Sequence, residues 1–344
     1  MFFGPAVTLL HESDHDILCT SRHYREAVEL AKVKGLKLKI VGKHGGAARY
    51  QKLRESATRI FELAALINKF EPEFAITFSS PEASRVAFGL GITHIGFNDS
   101  PHAEAVSKLT IPLINHLFSP WVIPISAWLP HGISRTKITQ YKALDPVAWL
   151  KWDPLPPSSS ASQRLRDLKL DPGKKTVLIR PEETKASYIA DKRLENRVSM
   201  VDAVVNNLHE SVNIIILCRY EEQIRQFMER YEGRAVVQSN VVDGIPLIAA
   251  SDVFIGAGGT MTSEASLLGT PTISISPIRF YVEKYLVSSG LAKRASNSLE
   301  LVRLTKRMLT DEKYKTKQRR MAKSILENME DPIHKMLSFL NIST

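Results

Sequence analysis

Residues 253–276 read VFIGAGGTMTSEASLLGTPTISIS, and their types and spacing suit a phosphorylated ligand. An apolar run stops at Gly256, Gly258 and Gly259, resumes with helical spacing, and ends in a β-branched run after Gly-Thr-Pro. Glycines between a strand and a helix let the backbone turn sharply and admit a ligand where a Cβ would clash. The helix start adds unpaired N–H groups and the positive end of the helix dipole, which favour phosphate. Thr260 and Thr262 supply hydroxyl donors. Glu264, about one turn further on, can accept from two vicinal hydroxyls such as those of a ribose. Together these residues describe a site for a nucleoside diphosphate and its sugar. The same residues also suit a tight βα turn in which Thr260 and Glu264 cap the helix. The glycines do not complete the dinucleotide fingerprint.

Other strand ends carry further candidates. Arg180 closes KTVLIR and Arg219 follows IIILC, each placed to offset diphosphate charge with a guanidinium fork. At least one is expected to face the ligand, and the other to pair with Glu182, Glu183 or Glu221. In the N-terminal half, strand ends deliver His44, Gly45, Gly46 and Ser80, the expected acceptor or substrate side, and then Asp99 and His102. A carboxylate and an imidazole three residues apart on one loop let Asp99 orient His102 as a general base for an acceptor hydroxyl. Alternatively, Asp99 caps a helix starting near Pro101, and His44 belongs to an ordinary βα turn. No HExxH or paired CxxC is present, so no metal site is expected.

The elements that must position these residues alternate along the chain. Strand patterns HDILCTS, LKLKIVG, EFAITFSS and ITHIGFND are separated by amphipathic helical patterns, which implies parallel sheets wrapped by helices. The alternation weakens across residues 123–162, rich in proline and serine, which mark a linker or domain edge. It then resumes to the C-terminus. The expected fold is α/β, with two Rossmann-like domains facing each other across a cleft. The N-terminal domain spans 1–150, the nucleotide-binding domain 163–330, and a helix over 331–344 packs across. The helical pattern PAVTLLHESD comes before any strand, so the first domain is expected to lack its opening strand.

The 344 residues carry a net charge of +10, which makes anionic partners worth weighing. Much of the excess lies in KRMLTDEKYKTKQRRMAK, which reads as the solvated face of a late helix and is compatible with anionic lipid or nucleic acid. Aromatic-basic interleaving like that of an RNA-binding sheet is absent. Two cysteines, Cys19 and Cys218, in apolar runs fit buried thiols in a reducing compartment. No apolar run approaches the roughly 20 residues of a membrane-spanning helix. A cytoplasmic protein is expected, and a homodimer is compatible with the sequence.

Residues 252–276 resemble the donor-nucleotide motif of GT-B-fold enzymes, among them UDP-N-acetylglucosamine 2-epimerase and the N-acetylglucosaminyltransferase of peptidoglycan synthesis. The resemblance implies that Gly258, Gly259 and Thr260 lie near a diphosphate and that Glu264 holds the ribose. It also implies a UDP-sugar-like substrate, no cofactor and no metal. More closely, VGKHGG, SPEASRVAFGLG, NDSPHA, IRPEETKASY and IGAGGTMTSEASLLGTP identify the chain as a member of the family known as domain of unknown function 354. Asp99 stands where the epimerase acid region carries glutamate, and IRPEETK replaces another epimerase loop. Three readings stay open: a glycosyltransferase acting on an unknown acceptor, a 2-epimerase-like isomerase, and a non-catalytic nucleotide or nucleic-acid binder.

Overall fold

The structure, a computed structural model, describes residues 1–46, 48–152, 167–168, 170–181 and 198–342. The described residues form two compact units. The first comprises residues 1–149 with 330–342, and the second the described residues of 150–329.

In the first unit, strands β1 (Thr20–His23) and β2 (Lys39–Lys43) form a parallel pair. Strands β3 (Phe74–Phe78), β4 (Thr93–Phe97), β5 (His116–Pro120) and β6 (Ile138–Tyr141) form a separate four-stranded parallel sheet in that order. Among the described residues no strand precedes the helix Gly4–Glu12. Local chemistry explains several element ends. Pro81 opens the helix Pro81–Gly89, and the Ser80 hydroxyl accepts from Ala83 N at 3.4 Å, an N-cap bond. The helix Arg49–Phe70 ends in left-handed Glu71, just before Pro72.

Two sequence expectations shift here. The strand expected over HDILCTS lies later, because Thr20 pairs with Lys39 and His23 with Lys43. The following helix accordingly starts at Arg25, after an extended Tyr24. The stretch expected as a linker is packed into the first unit as far as Trp149. Ile123, Trp128, Leu144 and Val147 have no exposed surface, and Trp128 Nε1 donates to Ser119 Oγ at 3.0 Å. Its prolines and serines build short 3-10 turns, so the apolar side chains reach the core without any regular period. Residues 153–162 of that stretch lie outside the described residues. The helix Pro332–Phe339 is capped by Asp331, and its Phe339 ring lies 4.3 Å from that of His116.

The second unit holds six parallel strands: β7 (Lys175–Arg180), β8 (Val212–Leu217), β9 (Val236–Gln238), β10 (Val253–Gly256), β11 (Thr272–Ser274) and β12 (Ala292–Arg294). Their order is β12-β11-β10-β7-β8-β9. Alternate residues of β7 serve opposite faces. Val177 and Ile179 join one core cluster, and Leu178 joins another with Ile215 and Phe254. Helices cover both faces, so the strand is apolar almost throughout. The two cysteines are free and half-buried, and burial pushes the Cys218 thiol up to about 12. Among the described residues no helix is long and apolar enough to cross a membrane.

Candidate functional site

The glycine turn follows β10 at the centre of the six-stranded sheet. Gly256 stands in register between Arg180 of β7 and Ser274 of β11. Each glycine answers a different demand. A Cβ on Gly256 would overlap the Thr262 hydroxyl and stand 2.6 Å from the Phe254 ring, so this residue is small for packing. Gly258 has φ +95°, and a Cβ there would come within 3.1 Å of Ser276 Oγ. Gly259 has φ +79° with open space beside it, so a ligand can approach its backbone.

Gly259 caps the helix Thr260–Leu267. Thr262 N and Ser263 N both donate to Gly259 O, which leaves the N–H groups of Thr260 and Met261 ahead of the helical ladder. These donors, the dipole and the open space at Gly259 make an anion-binding geometry. Thr260 is exposed at the helix start. The Thr262 hydroxyl is buried and has no hydrogen-bond partner among the described residues. Glu264 is buried on the same helix, 4% exposed.

The two arginines divide. Arg180 Nη1 donates to the carbonyls of Leu217 and Cys218 at 2.9 and 3.0 Å, which holds the guanidinium against the end of β8 beside the glycine turn. Arg219 is exposed after β8, its N–H donating to Gln223 Oε1 at 3.2 Å. Glu182 and Glu183, named above as partners for the arginines, lie outside the described residues. A polar group missed in the sequence supports the turn from the other side. Glu283 is buried and accepts from Ser274 Oγ at 2.8 Å and from Arg294, whose Nη2 donates to Ser276 O at 2.6 Å. These residues lie on successive elements, 9 to 18 positions apart where they bond, and no local motif announces them.

In the first unit, Asp99 and His102 lie on the loop after β4. Ser100 Oγ donates to Asp99 Oδ1 at 2.7 Å. Burial pulls the His102 imidazole down, while the Asp99 charge opposes that shift. The imidazole is therefore a neutral base near pH 7. Behind this loop is a carboxyl the sequence reading missed. Asp145 is hydrogen-bonded to Asp99 and accepts from the buried Tyr141 hydroxyl. Burial, then the Asp99 charge, push the Asp145 carboxyl well above the usual range, which favours its protonated form.

The remaining candidates have local structural uses. Ser80 is the helix cap described above and meets Arg59, whose guanidinium pairs with the buried Glu82 at 3.1 Å. His44 Nδ1 accepts from Gly46 N at 3.1 Å, which leaves the ring proton on Nε2. A Cβ on Gly45 would strike the Lys52 backbone at 2.5 Å, so Gly45 admits the start of the helix Arg49–Phe70.

Comparison with known families gives one match over almost the whole chain: residues 1–339 fit the family described as "Protein of unknown function (DUF354)". The chain belongs to this family. DUF354 thus covers both the loop carrying Asp99 and the glycine turn. An uncharacterized protein of Methanocaldococcus jannaschii, MJ0665, is 28% identical over 304 residues, 88% of this chain and 86% of its own. Among solved structures, UDP-GlcNAc 2-epimerase of Neisseria meningitidis bound to UDP-GlcNAc is similar in fold, with TM-score 0.72 and 16% identity over 98% of this chain and 95% of its own. The spinosyn forosaminyltransferase is similar at TM-score 0.61 and 15% identity over 98% of this chain and 94% of its own. This DUF354 chain therefore has the parallel α/β architecture of GT-B-fold epimerases and glycosyltransferases.

Proposed function

We propose that the chain is a metal-independent glycosyltransferase using a UDP-sugar-like donor. The observation that carries the reading is the turn at Gly258 and Gly259: two positive-φ glycines, free N–H groups at a helix start, and Arg180 one strand away. In this reading the diphosphate lies on the N–H groups of Thr260 and Met261, with Arg180 offsetting its charge. Glu264 accepts from the ribose hydroxyls. The acceptor hydroxyl gives its proton to neutral His102 as its oxygen attacks the anomeric carbon. The bond from that carbon to the β-phosphate oxygen breaks, and UDP leaves with the electron pair. Asp99 stabilises the imidazolium that forms. Metal-free departure of UDP is reasonable where a helix start and a guanidinium meet the developing charge.

Fold likeness to UDP-GlcNAc 2-epimerases supports a second reading, isomerisation at C2 of a UDP-sugar, in which the Asp99–Asp145 pair provides the acid and base. One experiment separates the two. The protein is incubated with UDP-N-acetylglucosamine in deuterated water, with and without acceptor extracts, and followed by phosphorus and proton NMR. UDP release that requires acceptor supports transfer. Deuterium at C2 without acceptor supports isomerisation. Unchanged spectra, together with no UDP binding by calorimetry, would reject both.

A further inference from the structure

All six strands of the second unit run parallel, so the turns before β10, β11 and β12 share the end of the sheet opposite to the glycine turn. The helix Glu312–Glu327 lies across that end. Its Lys315 Nζ is 3.0 Å from Asp252 Oδ1, before β10. A Cβ on Gly269, before β11, would stand 2.8 Å from Arg319 Cα. Gln318 Nε2 donates to the carbonyl of Leu291, before β12.

Beside these anchors, this helix, the helix Ser298–Thr310 and the end of the helix Tyr281–Ser288 enclose a cavity of 420 Å³. Small-molecule sites commonly occupy roughly 300–1,000 Å³. Met308 and Met321 give the cavity apolar walls, and Lys293, Arg307 and Lys317 line it with three cations. Among the described residues no carboxylate lines it. Arg307 Nε lies 3.9 Å from the Asp311 carboxylate. Tyr314 also lines the cavity, and its hydroxyl is buried without a hydrogen-bond partner among the described residues. A buried phenol with no partner is costly unless a ligand supplies an acceptor. Five of these six residues belong to the basic segment 306–323, which the sequence alone marks as a solvated face.

We propose that this cavity is a second binding site, which takes a phosphomonoester bearing an apolar or aromatic group. The phosphate, close to dianionic at neutral pH, meets the three cations and accepts from Tyr314 Oη. The apolar group covers Met308 and Met321, whose deformable side chains suit varied shapes. The site is separate from the glycine turn and does not depend on the nucleotide reading.

The full chain is titrated calorimetrically with phenyl phosphate, and floated with vesicles of equal parts phosphatidylcholine and phosphatidic acid. The variants are Tyr314→Phe and the double change Lys293→Gln with Lys317→Gln, both at residues whose altered atoms hold no other part of the fold. Binding should weaken roughly tenfold or more in the double variant, and severalfold in Tyr314→Phe. Binding of phenyl phosphate identifies a free phosphate ester as ligand, whereas binding of vesicles alone identifies a lipid phosphate. If neither probe binds, or if both variants bind as the parent does, the site is not there. Because UDP affinity is read in the same variants and should not change, failure here is distinguishable from failure of the nucleotide site.

Discussion

The Thr262 hydroxyl packs against the α-carbon of Gly256, where a Cβ would overlap it. This pairs the last residue of β10 with the first turn of the next helix and sets the direction in which that helix start points. Gly256→Ala is therefore expected to destabilise the second unit by about 1–3 kcal/mol through overpacking. Thr262→Val, which replaces an unpartnered buried hydroxyl by a methyl of similar size, should leave the melting temperature unchanged or raise it. Thermal melts of the two variants check the relationship, since a Gly256→Ala protein as stable as the parent would contradict it.

Nucleotide affinity should respond differently to three residues around the turn. Glu264→Gln should weaken UDP by roughly ten- to a hundredfold, the worth of a charged hydrogen bond of about 1.5–3 kcal/mol. Arg180→Ala should weaken UDP more than uridine, because only the former carries the diphosphate. It should also lower stability, since it frees the Leu217 and Cys218 carbonyls. Arg219→Ala, at an exposed side chain, should alter UDP affinity least. Calorimetric titration with UDP and uridine gives the ranking, and equal affinities for Glu264→Gln and the parent would remove Glu264 from the site.

What the sequence made legible follows from the range of each interaction. The glycine turn, Pro81 in the first turn of its helix and the strand-helix alternation are local patterns, and the residues carrying them are contiguous. The Tyr141–Asp145–Asp99 cluster was not legible, because strand β5 and a series of 3-10 turns separate Asp99 from Tyr141 in the chain. Glu283 and Arg294 likewise come together only through the parallel pairing of β11 and β12. The apparent linker misled because proline and serine there shape tight turns around Trp128, a buried anchor without periodic neighbours.

The raised pKa of Asp145, behind the Asp99 loop, makes a testable contribution to the pH dependence of stability. Its raised folded-state pKa means the native state holds a proton that the unfolded chain releases above 3.8, so this group's contribution to stability is lost as pH rises from there. Asp145→Asn keeps a donor toward Asp99 and an acceptor for Tyr141 but cannot ionise. It should be at least as stable as the parent above pH about 7, and its stability should fall less on the alkaline side. Denaturant melts from acid to alkaline pH decide this. A variant that loses stability more steeply than the parent as pH rises would show that Asp145 is ionised in the native protein.

His94 should govern part of the acid side. Its ring is fully buried in β4, with Nε2 2.9 Å from Thr77 Oγ1, and burial lowers its pKa to about 4. The unfolded chain takes up a proton near pH 6.5, whereas the native ring resists until about 4. Between those values the unfolded state binds more protons, so stability falls as pH is lowered, by up to about 3 kcal/mol for this group. His94→Gln removes the titration while leaving a polar group for Thr77. It should start less stable at neutral pH because its packing is imperfect, yet lose less between pH 6.5 and 4. Denaturant melts of both proteins across this interval measure the difference, and parallel acid losses would show that His94 is protonated in the folded protein as readily as in the unfolded one.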